Sequence, residues 1–322
     1  MCDLHDLPWM GGPNCLKRRS AMALAAAAVL APGGAHAAAR AFVMTEIAPG
    51  IHVRRGDYQD ADRQNDDAIA NIGFVVGRKG VAVIDPGGSL HDGVRLRAAI
   101  RKHTRLPIRY VVMSHVHPDH VFGAVAFQPD NPVFVGHARL PAALAARGAF
   151  YRHRLAQILG AGEAGNFVVP TLLVHDRMDI DLGGRVLTLT AHKTAHTDND
   201  LTIMDQQTAT LWAADLLFVT RIPALDAGLL GWMKVLAHLT RVPAARAVPG
   251  HGPASVPWPE AATAEAGYFS ALADGIRGVL ARGGDIEQAV RSVGLSERGR
   301  WRLFEAYNGR NVTIAFQELE WE

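Results

Sequence analysis

The chain has 322 residues, 49% of them hydrophobic and 20% charged, an ordinary globular balance that excludes disorder and a coiled coil. Its 33 basic and 31 acidic residues leave a net charge of +2, and no basic block stands out, so a nucleic-acid surface is not expected. Both cysteines, Cys2 and Cys15, lie at the extreme N-terminus.

Lys17, Arg18 and Arg19 precede an apolar run from Ala21 to Ala31, broken by Pro32-Gly33-Gly34. Ala35-His36-Ala37 then offers small residues for a signal peptidase. This layout predicts a secretory signal over 1–37, cleaved near Ala37, and a periplasmic protein. The paired arginines resemble a twin-arginine signal, although the following "SAM" departs from that consensus. Eleven apolar residues are too few to cross a bilayer, so no stable membrane anchor is expected. The mature chain would have no cysteine, and with it no disulfide, no thiolate nucleophile and no sulfur ligand.

Past the signal, "GIHVRRG" and "NIGFVVG" predict strands around a polar loop, and "GVAVIDPGG" a buried strand ending at Asp85. "HDGVRLRAAIRKHT" predicts a helix with Val94, Leu96, Ala99 and Ile100 at helical spacing. "IRYVVMSH" reads as an interior strand. Strand, helix, strand with buried patterning implies parallel pairing. "NPVFVGH" predicts another strand and "RLPAALAARGAFYRHRLAQILGAG" a helix. Four strands follow, "TLLVHD", "RVLTLTAH", "DLTIMDQ" and "ATLWAAD", the last two a hairpin across Gln206 and Gln207. From Pro257 the chain turns helical. Tyr268, Phe269, Leu272, Ile276, Val279 and Leu280 share one face, Gly283-Gly284 ends that helix, and Asp285 caps the next. No internal linker or short repeat is evident. The expectation is an α/β domain over 38–256 with a helical layer, 257–322, packed on it.

The densest chemistry is "SHVHPDH" at 114–120, directly after a predicted interior strand, where α/β folds place their sites. His115 and His117 alternate with Val116 and Pro118, so both side chains can point one way. Asp119 and His120 add a carboxylate and a third imidazole. Neutral imidazoles with a carboxylate suit zinc or another borderline divalent metal. Downstream, His196 in "TAHTDND" and Asp215 in "LWAADLLF" follow strands, and His251 lies in "VPGHGP". A lone strand-end histidine is more often only a hydrogen-bonded residue. Four such motifs in this order are a different matter.

In these motifs, from Asp85 to His251, the chain resembles the metallo-β-lactamase superfamily. The resemblance implies a four-layer αββα sandwich with a dinuclear site along one edge of the two sheets, and a helical C-terminal extension. It implies that His115, His117 and His196 hold one metal, that Asp119, His120 and His251 hold the other, and that Asp215 bridges both. Asp85 would support the site without binding metal. Ala195, Asn199 and Ala214 stand where the family pattern commonly has glycine. Asparagine tolerates left-handed backbone, so the swap at Asn199 is mild.

The stretches "HTDNDLTIMDQQTATLWAADLLFVTRIPALDAGLLGWM" and "RNVTIAFQELE" are most similar to the zinc metallohydrolases described alongside bacterial quinoprotein relay and sulfur-oxidation systems. That implies a functional link to periplasmic quinoprotein dehydrogenases.

The implied activity is hydrolysis of an ester, thioester, lactone or amide carbonyl, or of a phosphoryl or sulfuryl centre, by a hydroxide bridging two Zn2+. Iron and manganese are the other ions to weigh. Asp119 would be the catalytic residue, orienting the nucleophile and passing a proton to the leaving group. Two other readings compete: an all-histidine metallo-β-lactamase, which Asp215 argues against, and a mononuclear iron enzyme of the persulfide-dioxygenase type. Asp66, Asp67, Tyr151, His153, Arg221, Asp226 and Trp232 are the candidates for contact with a small-molecule substrate.

Overall fold

The computed structural model describes residues 41–322, so the expected signal segment, with Cys2, Cys15 and the cleavage point, lies outside the described residues. The first sheet has seven strands in sequence order: β1 (Thr45–Ala48), β2 (Ile51–Arg54), β3 (Ile72–Val76), β4 (Val81–Ile84), β5 (Ile108–Met113), β6 (Val133–His137) and β7 (Leu172–Val174). Strands β1 to β4 pair antiparallel, and β4 to β7 pair parallel. The second sheet comprises β8 (Arg177–Asp181), β9 (Val186–Ala191), β10 (Leu201–Asp205), β11 (Thr210–Phe218), β12 (Arg246–His251) and β13 (Val256–Pro257), ordered β13-β12-β11-β10-β9-β8.

The run "VAVI" of β4 shows why the sheets stack. Side chains alternate across a strand. Val83 and Val81 pack outward with Leu96 and Ile100 of helix α1 (Leu90–His103), while Ala82 and Ile84 face the second sheet with Val112, Leu189, Ile203 and Val248. A strand buried on both faces must be apolar throughout. The outer face of the second sheet packs Leu211, Ala213 and Leu217 against a helical layer of α4 (Leu229–Leu239), α5 (Ala262–Leu280) and α7 (Phe304–Leu319), with the short α6 (Ile286–Ser292) joining the last two. The architecture is therefore an αββα sandwich, with helical residues beyond 257 sharing its core. Among the described residues no helix is long and apolar enough to cross a membrane.

Several elements differ from the expected pattern. Val94 is 48% exposed. It lies two residues, about 200°, from Leu96, so Asp92 and Gly93 take the buried face with Leu96, Ala99 and Ile100. Asp92 is held there by Arg54 at 2.6 Å. Strand β8, "RMDID", has three charged residues and ends the second sheet, so only Ile180 is buried and its apolar signal is weak. Helix α4 is also unannounced, because Gly231 in its first turn lowers helix propensity. A Cβ there would lie 2.3 Å from the Thr194 carbonyl oxygen, so the glycine lets α4 approach the loop that carries His196.

Helix α5 reaches towards the site through Glu265, which is fully buried and accepts a hydrogen bond from the Phe218 amide at 3.0 Å. Burial raises its pKa well above the ordinary 4.5, and Asp215 nearby raises it further. Below that ordinary value the carboxyl is neutral in folded and unfolded chains alike. Above it the unfolded chain gains by ionising and the folded chain does not, so stability falls as pH rises towards the folded pKa. Glu265→Gln keeps the acceptor and removes the titration. In metal-stripped protein, its unfolding midpoint should gain on the wild type from about pH 5 to about pH 8. A constant gap across that range would show that Glu265 is not held neutral.

Candidate metal centre

The seven histidine and aspartate residues singled out by the sequence meet at one edge of the two sheets. Their donor atoms form two groups: His115, His117, His196 and Asp215, and then Asp119, His120 and His251. Within each, the donors lie within 4.8 Å of one another. His115 and His117 leave the end of β5. Pro118 starts the short helix α2 (Pro118–Val121), which turns Asp119 and His120 back towards them. His196 lies between β9 and β10, Asp215 within β11, and His251 ends β12.

In the first group, His117 Nδ1 is 3.1 Å from His115 Nε2 and 2.9 Å from His196 Nε2, and Asp215 Oδ2 is 3.3 Å from His196 Nε2. In the second, Asp119 Oδ2 is 3.5 Å from His120 Nε2 and 3.3 Å from His251 Nε2. Asp215 reaches this group too, with Oδ1 at 3.1 Å from His120 Nε2 and Oδ2 at 3.4 Å from His251 Nε2. Tetrahedral ligands about 2.0–2.1 Å from zinc stand about 3.3 Å apart, so the separations fit a shared cation. His120 Nε2 and Asp215 Oδ1 are buried without a hydrogen-bond partner, as donors aimed at a common point would be.

In four of the five histidines the opposite ring nitrogen lies beside an oxygen acceptor, which helps orient the ring, whereas His196 Nδ1 is buried without a partner and His251 Nδ1 also lies 3.1 Å from Arg221 Nη1. His115 Nδ1 is 3.0 Å from Ser114 Oγ, and Ser114 Oγ donates to Asp85 at 2.9 Å. His120 Nδ1 lies 2.7 Å from Asp85 Oδ2, and His251 Nδ1 3.0 Å from the Ile69 carbonyl. His117 is turned the other way: Nδ1 faces the cluster, and Nε2 lies 3.2 Å from Asp226 Oδ2. Burial, and then its neighbour His120, hold His115 well below the usual histidine pKa, in the neutral form a ligand needs. Burial alone would raise the Asp215 carboxyl, but His251 and His120 lower it well below the usual range.

Asp226 thus orients His117, one of the candidate metal donors. It also accepts a hydrogen bond from Arg147 of helix α3 (Leu140–Leu159). Replacing a partner of a ligating histidine typically costs 10–100-fold in metal affinity. Asp226→Ala should lose about that much in chelator competition, and Asp226→Asn, which keeps an acceptor oxygen, should lose less. Wild-type affinity in Asp226→Ala would remove this role.

The other substrate-contact candidates divide. Asp67, Tyr151 and Arg221 line a cavity of about 570 Å3 that opens on the cluster. Arg221 is buried there, 3.1 Å from both Asp60 Oδ1 and Tyr307 Oη, and Tyr307 donates to Asp60 at 2.6 Å. Asp66 instead pairs with His91 at 2.8 Å, and His153, exposed on α3, accepts from Gln157. Trp232 is fully buried behind the site, its ring 5.0 Å from that of His196. It braces the ligand and meets no solvent.

Two residues matter through the backbone. Ala214 sits at φ +47, where the β11–β12 register breaks, and this left-handed turn aims Asp215. The Cβ makes that conformation cost roughly 1–2 kcal/mol. Asn199, in contrast, is not among the left-handed residues, so its tolerance of that region is unused. Gly250 packs against Asp215, and its part is legible only from the close approach of the two strands.

Two stacked sheets between helices, with paired histidine and aspartate donors where the sheets meet, define a metal-binding α/β sandwich. The metallo-beta-lactamase superfamily profile matches residues 65–251, more than half of the sequence, and the chain belongs to that superfamily. A metallo-beta-lactamase from Pontibacter korlensis shares the fold at a TM-score of 0.57 and 19% identity, covering 71% of this chain and 98% of that one. A stereoselective inverting sec-alkylsulfatase from Pseudomonas sp. gives a TM-score of 0.66 at 16% identity, over 85% of this chain and 50% of its own. A linear primary-alkylsulfatase from Pseudomonas sp. is 34% identical over 62 residues, 19% of this chain and 12% of that enzyme.

Proposed function

We propose that this metallo-beta-lactamase superfamily enzyme is an exported, dinuclear zinc-dependent hydrolase cleaving an ester, thioester, lactone or amide in a small molecule. The observation that carries the reading is Asp215, whose carboxylate lies within 3.4 Å of donors from both groups. His115, His117 and His196 would hold one cation, Asp119, His120 and His251 the other, and Asp215 both. When bound, two such cations polarise the substrate oxygen and bring the pKa of a bound water to about 7.

The protein's own residues supply the rest. Asp119 lines the cavity, and its carboxylate would take the proton of the attacking water and return it to the leaving group. Asp85, Ser114 and Asp226 keep the imidazoles in register. Ile69, Leu155 and Leu225 form an apolar wall that limits water around the reacting bond.

Metal analysis with X-ray absorption on protein purified from its native compartment tests the reading. Two metals per chain with nitrogen and oxygen scattering alone are expected, and an N-terminus near Ala38. Sulfur scattering, or a stoichiometry of one at saturation, would overturn the dinuclear site. Retention of the full-length chain in the cytoplasm would overturn export.

The sequence and fold likeness to alkylsulfatases favours a second reading, hydrolysis of a sulfate ester, so alkyl sulfates belong in the substrate panel beside carboxylic esters. Preferred turnover of β-lactams, or iron with oxygen uptake on a persulfide, would replace both.

A further inference from the structure

Two arginines on the wall of the cavity in front of the cluster have no acid within hydrogen-bond distance. Asp60 is taken by Arg221 and Tyr307, and Asp226 by Arg147 and His117. Asp119 and Asp215 face the cluster. Asp67, the remaining acid of the lining, is 3% exposed. Two guanidinium groups remain on the cavity wall. The guanidinium of Arg154 on α3 makes no hydrogen bond or ion pair among the described residues. Arg310 of α7 meets only Asp226, at 4.0 Å, beyond hydrogen-bond distance. The same lining carries Leu155 and Leu225, and Asp226 lies 4.0 Å from Arg310 and 3.2 Å from His117 of the cluster. Phe150 lines the same cavity yet keeps 63% of its surface exposed.

We propose that Arg154 and Arg310 form an anion subsite for a second, non-reacting acidic group of the substrate, which is therefore an amphiphile. One end reacts at the cluster, the body lies along Phe150, Leu155 and Leu225, and the far end carries a carboxylate or another oxyanion. The planar fork of an arginine matches such a group with two parallel hydrogen bonds. This rests on the hydrolase reading and goes beyond it by naming the substrate class.

The test compares 4-nitrophenyl monoesters of a dicarboxylate series, glutarate to sebacate, with the same esters capped by a methyl group. For the metal-loaded full chain, kcat/KM should favour the free acid at the best length by about tenfold, the scale of one charge-assisted pair. In Arg154→Ala/Arg310→Ala the ratio should fall to near one. In Arg154→Lys/Arg310→Lys it should largely persist, and in Arg154→Glu/Arg310→Glu it should invert towards an ω-amino acyl ester. Should the variants fail to fold, the wild-type preference should still decline with added salt while turnover of the capped ester does not. Calorimetry of suberate against octanoate separates the two claims. Tighter binding of suberate without hydrolysis of any ester would keep the subsite and sink the hydrolase reading. A wild-type ratio near one at every length, or one undiminished in the alanine variant, would overturn the subsite.

Discussion

Asp215→Ala should lose at least one metal from the proposed dinuclear site and at least about a hundredfold in hydrolysis, the upper scale for disturbing a metal site. The carboxylate lies 3.1 Å from His120 Nε2 and 3.3 Å from His196 Nε2, so its removal subtracts a donor from both groups at once. It also subtracts a charge where neutralisation matters most. The residue is 3% exposed, and uncompensated charge in so buried a place costs several kcal/mol. Asp215→Ser should not rescue, because serine restores an oxygen and no charge. Metal content after dialysis and turnover of the preferred ester are the readouts. A serine variant that holds both metals at full activity would show that Asp215 does not bridge, and the β-lactamase reading would regain ground.

Gly250→Ala should have an effect of similar size without replacing any of the seven donors. A Cβ at this position would lie 1.8 Å from Asp215 Oδ1, 2.8 Å from the Ala214 carbonyl carbon and 2.8 Å from the Asp215 nitrogen. Two of those atoms are backbone in the adjoining strand, and the Gly250 carbonyl is itself anchored by the Asn71 amide at 2.7 Å. Neither strand can yield cheaply, so the carboxylate has to swing away from the cluster. Overpacking of this kind costs about 1–3 kcal/mol of stability, which a sandwich with three buried layers should survive. The variant should therefore fold, lose metal as Asp215→Ala does, and fall in activity by about a hundredfold. A folded Gly250→Ala that keeps wild-type metal content would show that the carboxylate has another position from which to bind.

These two positions mark what the sequence could and could not disclose. The donor set was legible because histidines and aspartates at strand ends have little other reason to recur, and because "SHVHPDH" is too polar for the buried place its strand leads to. The strands of the sandwich were legible because burial on both faces forces apolar runs such as "VAVI". Gly250 was not, since its contribution is the absence of a side chain opposite a residue 35 positions earlier. Asp226 was noticed as a possible substrate contact, and it does line the cavity, but nothing local reveals that it also meets His117, reached only through the fold. Trp232 looked like a substrate contact because aromatic residues suit pockets, but its helix turns it inward against His196. Edge strand β8 and helix α4 escaped because charge on an edge and glycine in a helix blur the periodicity that betrays interior elements.

His115, His117, Asp119 and His120 hang from the first sheet, whereas His196, Asp215 and His251 belong to the second. Each donor group therefore draws on both halves of the sandwich. A chain with either sheet folded alone possesses neither site, however correct that half is. Cations bound across the seam would act as rivets, and their binding energy would enter the docking of the sheets by mass action, growing with the logarithm of free metal above the dissociation constant. With the proposed site occupied, the protein's resistance to unfolding would be set in part by the free metal around it.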